Sequence, residues 1–372
     1  MTTARTGPRL LLMLPAGISL LAGLDAALLL LDLPAPLRTE RLPDVHGVVL
    51  VLGFVGTLVS LERAVALRRP WGFLAPALLG LGSLLLVSPA PLTAGRLVLV
   101  GGTAALVAVY VPLWRRQRDD AVLVQLLGAA IALGAAIVWA GGAATAAVVP
   151  WLAGFVILTI GGERLELARL AMGPGAGTRL VALALAFSSA IVACLLWPAI
   201  GEPLVGATLL ALTGWLAVHD VARRTVSSTG LTRFMAACML AGYGWLVVAA
   251  GVWLTGSGGV DGTPDGAGYD AVIHSVFLGF TISMIMAHAA VILPAVLRRP
   301  LPYRPAMWAP ALLLHTGLVL RVWIGDGLGF ETAWRVGGAL NVAALLLFVA
   351  VALWSALTPA PASTPTPEQV AR

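Results

Sequence analysis

What most constrains this chain is a succession of apolar runs, each about the 20 residues that a helix needs to cross a hydrocarbon core of roughly 30 Å, joined by short polar segments. In such a core a backbone must satisfy its own hydrogen bonds, so runs of this length are read as helices. Twelve can be placed, at 9–31, 45–66, 71–88, 96–114, 120–140, 146–164, 179–197, 203–221, 230–255, 269–296, 303–323 and 333–357. The fold class is therefore an all-α polytopic membrane protein with twelve transmembrane helices. Composition excludes the soluble alternative: 59% of residues are hydrophobic and 11% charged, whereas a soluble domain carries about a quarter of its residues charged. The joints leave no room for a soluble domain, so 1–357 is read as a single transmembrane domain. The Pro/Thr-rich stretch 358–372 is expected to be a disordered tail.

Orientation follows from the basic residues. Of 23, none is Lys, and 18 cluster on one side of a twelve-span count: Arg5/Arg9, Arg63/Arg68/Arg69, Arg115/Arg116/Arg118, Arg164/Arg169/Arg179, Arg223/Arg224/Arg233, Arg298/Arg299/Arg304 and Arg372. The positive-inside rule makes that side cytoplasmic and places both termini there. The opposite joints carry Asp32, Glu40, Asp44, Asp261, Asp265 and Asp270. The expected location is a bacterial inner membrane, with the lipid bilayer as partner. The net charge of +6 is accounted for by topology and implies no nucleic acid. Cys194 and Cys238 fall inside spans without metal-site spacing and are expected to be small core residues.

A repeat runs through the apolar background. GFVGTLVSLER, Gly53 to Arg63, has a counterpart in GFVILTIGGER, Gly154 to Arg164, four spans later. Four spans further on, span 10 holds Leu278-Gly279-Phe280 and ends in Arg-Arg-Pro, as span 2 does; each is followed by Ala-Pro-Ala-Leu-Leu. The chain reads as three four-helix units with pseudo-threefold symmetry, pivoting on helices 2, 6 and 10. The ninth residue after each Gly is Glu62, Glu163 or His288, about 13–14 Å deeper along its helix. The Gly-Phe pairs are expected to serve close helix packing. Two readings of the ionisable triplet stay open. Either Glu62, Glu163 and His288 converge near the axis, with Arg63 and Arg164 turned outward to water, or each Glu pairs with its own Arg.

Of five histidines, His219 ends span 8 and reads as interfacial. His46 and His274 lie a few residues inside the outer ends of spans 2 and 10 and so share a depth, which is what two axial ligands from facing helices require. Asp270, one turn before His274, could orient that ring. The alternative is two imidazoles hydrogen-bonded within the bundle. His315 should lie near mid-membrane, closer to His288. Two carboxylates and an imidazole at one depth, with His315 entering from the next span, would offer hard O and borderline N ligands to a metal or would share protons.

Twelve spans with His on spans 2 and 10 resemble the catalytic subunit of haem-copper oxidases, in which helices 2 and 10 supply low-spin haem ligands near the outer face. His46 and His274 match those ligands. Val272 stands where a second span-10 His would be, span 6 has no His-x3-Tyr and span 7 no His-His, so the usual oxygen-reducing centre is missing. The chain more closely resembles the NnrS family of haem- and copper-containing proteins linked to nitric oxide stress. His46-x6-Gly53-Phe54 looks like that family's HAHEMxxGF segment with Val48 for the second His. His274-x4-Gly279, Met284/Met286 and Leu318-x-Leu320-Arg321-Val322 resemble its later motifs.

The resemblance implies a haem-binding integral membrane protein with one haem b on His46 and His274. A second metal ion, iron, copper or zinc, is expected at Glu62, Glu163, His288 and His315. Such a protein would act in electron transfer or the nitric oxide response as a haem-dependent oxidoreductase, taking electrons from quinol or an electron-transfer protein. The rival is a proton-coupled transporter using Glu62, Glu163, His288 and Asp25; a third reading is a cofactor-free assembly factor.

Overall fold

The computed structural model describes residues 7–37, 39–259, 266–297 and 300–358. Arg5, Arg298, Arg299, Arg372, Asp261, Asp265 and the expected tail beyond Thr358 lie outside them. The described chain is 87% helical with no strands. Its twelve membrane-length helices are Arg9–Leu30, Arg41–Leu67, Pro70–Val87, Leu92–Gln117, Asp120–Ala140, Thr145–Ala168, Ala176–Leu196, Pro198–His219, Gly230–Leu254, Ala267–Pro294, Pro305–Asp326 and Glu331–Leu357, here spans 1 to 12. Breaks between them are short because the sequence stops helices sharply. Arg68 and Arg118 close spans 2 and 4 in the left-handed region, at φ 59° and 51°, and Pro198 opens span 8 one residue after span 7 ends.

Spans adjacent in sequence form the main packed pairs, and span 1 meets span 12 to close the ring. At that closure Arg335 pairs with Asp32 at 3.4 Å. Spans 2, 6 and 10 form the interior. In their most apolar eighteen-residue stretch 72%, 83% and 61% of residues are buried, against 39–56% elsewhere, and the three pack against one another. The shared glycines seat these inner helices against the surrounding ones. A Cβ at Gly53 would collide with Ser83, one at Gly154 with Ile191 and one at Gly279 with Trp245, the close approach for which membrane helices use small residues. Cys194 and Cys238 are free, buried core residues, as their setting implied.

Three stretches depart from α geometry. Val49–Gly56 in span 2, His274–Ile282 in span 10 and Val319–Asp326 in span 11 are π-helical. Such segments are rare and concentrate at functional sites. Here all three lie toward the end of the bundle that carries His46 and His274, and they direct attention there.

Candidate functional site

Near the N-terminal ends of spans 2 and 10 stand His46 and His274. The Nδ1 of His46 sits 2.6 Å from the carbonyl O of Pro43, and that of His274 sits 2.8 Å from the carbonyl O of Asp270. A carbonyl only accepts, so both rings carry their proton on Nδ1, and both present a free Nε2 lone pair. The Asp270 carboxylate adds a contact of 3.2 Å to the His274 Nδ1, which realises the orienting role expected of it. Asp270 in turn holds Arg321 of span 11 through two bonds, Nε to Oδ2 at 2.8 Å and Nη2 to Oδ1 at 2.7 Å. The Arg321 guanidinium lies 4.2 Å over the Trp334 ring. Asp270, His274 and Arg321 thus form one bonded group, and His46 lies within electrostatic reach of all three.

The donor set fits a haem. Spans 2 and 10 are buried on most sides yet partly open along a face that includes the histidine: His46, Gly47 and Phe54 on span 2, and Ile273, His274, Phe277 and Leu278 on span 10. A Cβ at Gly47 would meet nothing within 4 Å. Two imidazole Nε2 atoms flanked by aliphatic and aromatic residues are the lining that a planar, largely apolar macrocycle requires.

The opposite, arginine-rich ends of the same helices are organised by guanidinium groups. Arg63, only 7% exposed, donates Nε and Nη2 to Glu62 at 2.6 and 2.7 Å. Its Nη1 reaches Gln125 Oε1 at 3.0 Å and Glu166 Oε2 at 3.3 Å, while Glu163 Oε1 stands 3.9 Å from Nη2. Arg164, 4% exposed, donates Nε and Nη2 to Asp220 at 2.9 and 3.1 Å, and its Nη1 donates to His288 Nε2 at 3.0 Å. Tyr243 donates to the same Asp220 at 2.8 Å.

This corrects three expectations. Arg63 and Arg164 do not turn outward to water. They turn inward, because acids and amides of neighbouring spans offer each desolvated guanidinium the partners it needs. The convergence is partial: Glu62 and Glu163 meet at Arg63, but His288 belongs to the Arg164 group, with its Nδ1 proton on the Met284 carbonyl at 2.8 Å and its Nε2 lone pair taken. His315 stands apart again, its Nδ1 accepting the Trp245 indole hydrogen at 3.0 Å and its Nε2 facing Ser283 at 3.5 Å. Glu62, Glu163, His288 and His315 thus do not form one metal-holding set. Among the described residues no three His, Cys, Asp or Glu side chains do.

Asp25 is buried in span 1. Its Oδ1 accepts the Leu37 N–H at 3.1 Å, and its Oδ2 has no partner. His219 ends span 8, stacked on Trp215 at 4.7 Å, as an interfacial residue should. Sequence reading missed Gln125, Glu166, Asp220 and Tyr243. Gln125 had a signal, since it is the one amide in the apolar run 120–140 and a lone intramembrane amide needs a partner.

The fold and these sites define a polytopic, all-helical membrane protein whose inner helices carry an imidazole pair at one end and guanidinium-centred clusters at the other. The chain belongs to the family described as a domain of unknown function, DUF8744, which matches residues 9–357. No curated protein matches it.

Proposed function

We propose that this is a haem-binding integral membrane protein in which His46 and His274 hold one haem b through their Nε2 atoms near the outer face of a bacterial inner membrane, with both termini cytoplasmic. The observation that carries the reading is the matched pair of histidines on two inner helices, each with Nδ1 tied to a backbone carbonyl and Nε2 free. Bound there, the haem supplies a one-electron couple, suited to electron transfer or to interaction with nitric oxide. The chain's own part is to hold. The Pro43 and Asp270 carbonyls fix the ring orientations, the Asp270 carboxylate strengthens His274 as a donor, and Arg321 balances that charge. Phe54, Phe277 and Leu278 would keep water from the site. Electrons would come from quinol or a separate electron-transfer protein. The mutual packing of spans 2, 6 and 10 supports the three-unit repeat that belongs to this reading.

The optical spectrum of the purified protein tests it. A Soret band and a reduced α-band of low-spin form are expected, lost or turned high-spin in His46→Ala and in His274→Ala. A haem spectrum unchanged in both variants overturns the assignment. Protein without haem after expression with ample haem supply turns the reading to the proton-coupled transporter, which the buried, unpartnered Asp25 Oδ2 favours.

A further inference from the structure

The Arg63 cluster holds more acid than base. Glu62 takes two guanidinium hydrogens at 2.6 and 2.7 Å. Glu166 shares a third with Gln125, whose amide also donates to it at 3.3 Å, and its residue is exposed to water. Glu163 has neither advantage: its one guanidinium contact is 3.9 Å long, beyond hydrogen-bond reach. The adjacent Arg164 is committed to Asp220 and His288. Three carboxylates around one guanidinium would leave two excess negative charges among packed helices, a costly arrangement that a proton on one acid relieves.

A second, independent feature points to the same carboxyl. Tyr110 of span 4 is completely buried, its hydroxyl has no partner, and it lies within electrostatic reach of Arg63, Glu163, Glu62 and Glu166. Thr159 is four residues before Glu163 and so one turn deeper on the same helix face; it is 1% exposed and its hydroxyl is equally without a partner. Other threonines behave differently: Thr103 and Thr208 bond the carbonyl four residues back, at 2.9 and 2.7 Å. A buried hydroxyl left unbonded is expensive. Two of them beside one under-paired carboxyl call for a small polar occupant.

We propose that Glu163 is a proton-binding carboxyl at the inner end of a water-holding inlet that opens on the Arg-rich face of the membrane, with Glu166 at its mouth and the Tyr110 and Thr159 hydroxyls as its lining. The groups facing it are Glu62 and Arg63 of span 2, Tyr110 of span 4, Gln125 of span 5, and Arg164 and Glu166 of its own helix. Binding is a simple protonation: the Glu163 carboxylate takes H⁺ from water, leaves the cluster with one excess negative charge, and gains an O–H that can donate to inlet water. The inlet owes nothing to the haem reading, because it rests on residues at the opposite end of the helices.

Infrared spectroscopy of the purified full-length protein near neutral pH tests the proposal. The wild type should show a carboxylic-acid C=O band that shifts in D2O and vanishes in E163Q; in E62Q, which removes one negative charge and frees Arg63 to pair with Glu163, it should weaken. The band should move to higher frequency in Y110F, as inlet water loses one of the hydroxyls that hold it beside Glu163, and exchange with D2O should slow in E166Q. Size-exclusion elution identical to wild type shows that each variant is folded; if E163Q is not, E163D serves, by shifting the band rather than abolishing it. A wild-type-minus-E163Q spectrum without a carboxylic-acid band across the pH range of the folded protein overturns the proposal, as does a band that persists unchanged in E163Q.

Discussion

Arg164 grips both carboxylate oxygens of Asp220, Nε to Oδ2 at 2.9 Å and Nη2 to Oδ1 at 3.1 Å. The two residues are 56 apart in sequence and both are buried. Asp220 lies just past the end of span 8 and also accepts the Ala222 N–H at 2.9 Å and the Tyr243 hydroxyl of span 9. Arg164 extends the clamp to His288 of span 10. The group thus joins inner helices 6 and 10 to the span 8–9 corner, and every lone pair and hydrogen it commits is matched within the protein.

Cutting this clamp on one side leaves a buried charge alone, which costs about 3–5 kcal/mol, whereas replacing both partners by apolar residues of similar volume costs much less. Arg164→Met and Asp220→Leu should each lower the midpoint of unfolding in detergent strongly, and the double variant should recover most of the loss. Additive losses would show that the two side chains act separately.

At the outer site, Asp270→Ala removes the partner of Arg321 and the carboxylate beside His274. The expectation is a stability loss of about 3–5 kcal/mol together with a lower haem-to-protein ratio, because His274 is less firmly oriented. Asp270→Asn, which keeps one acceptor for Arg321, should lose less of both. Absorbance per mole of purified protein and thermal unfolding measure the two effects.

Close helix contact makes a sharper contrast. A Cβ at Gly206 would lie 2.6 Å from Ala250 O and 2.7 Å from Leu254 Cα, backbone that cannot swing away, while one at Gly214 on the same helix meets nothing within 4 Å. Gly206→Ala should cost about 1–3 kcal/mol by overpacking. Gly214→Ala should be neutral or stabilise by about 0.5–1 kcal/mol through helix propensity. Melting temperatures of the two variants compare them directly.

Topology is tested by tags. Accessibility labelling in spheroplasts should leave both an N-terminal and a C-terminal tag protected, with a tag in the joint before span 2 labelled. A labelled C-terminal tag would reverse the inside and outside assigned to every site.

The spans were legible because apolar length is a local property. Gly53, Gly154 and Gly279 marked spans 2, 6 and 10 as alike, but nothing in those residues alone said that the three lie inside the bundle. His46 and His274 were found by depth alone. The direction of Arg63 and Arg164 was not legible. It depends on Gln125 and Asp220, 62 and 56 residues away, and no spacing rule connects residues on different helices at such separations. The π-helical segments left no trace either, because Val49–Gly56 and His274–Ile282 are built from the same apolar residues as the α turns around them.

Those segments have a consequence for how the molecule can change. A π-turn amounts to one residue inserted into an α-helix, and each residue advances the helix by about 100°. His46 lies seven residues before its glycine and His274 five before its own, so in spans 2 and 10 the half that carries the histidine is dialled independently of the half that carries the ionisable clusters. Removing a single residue from Val49–Gly56 would straighten span 2 and swing His46 about a quarter-turn or more away from span 10, leaving Glu62 and Arg63 where they are. One-residue insertions and deletions, usually ruinous inside a membrane helix, would act here as a selector of what the outer end of the bundle presents.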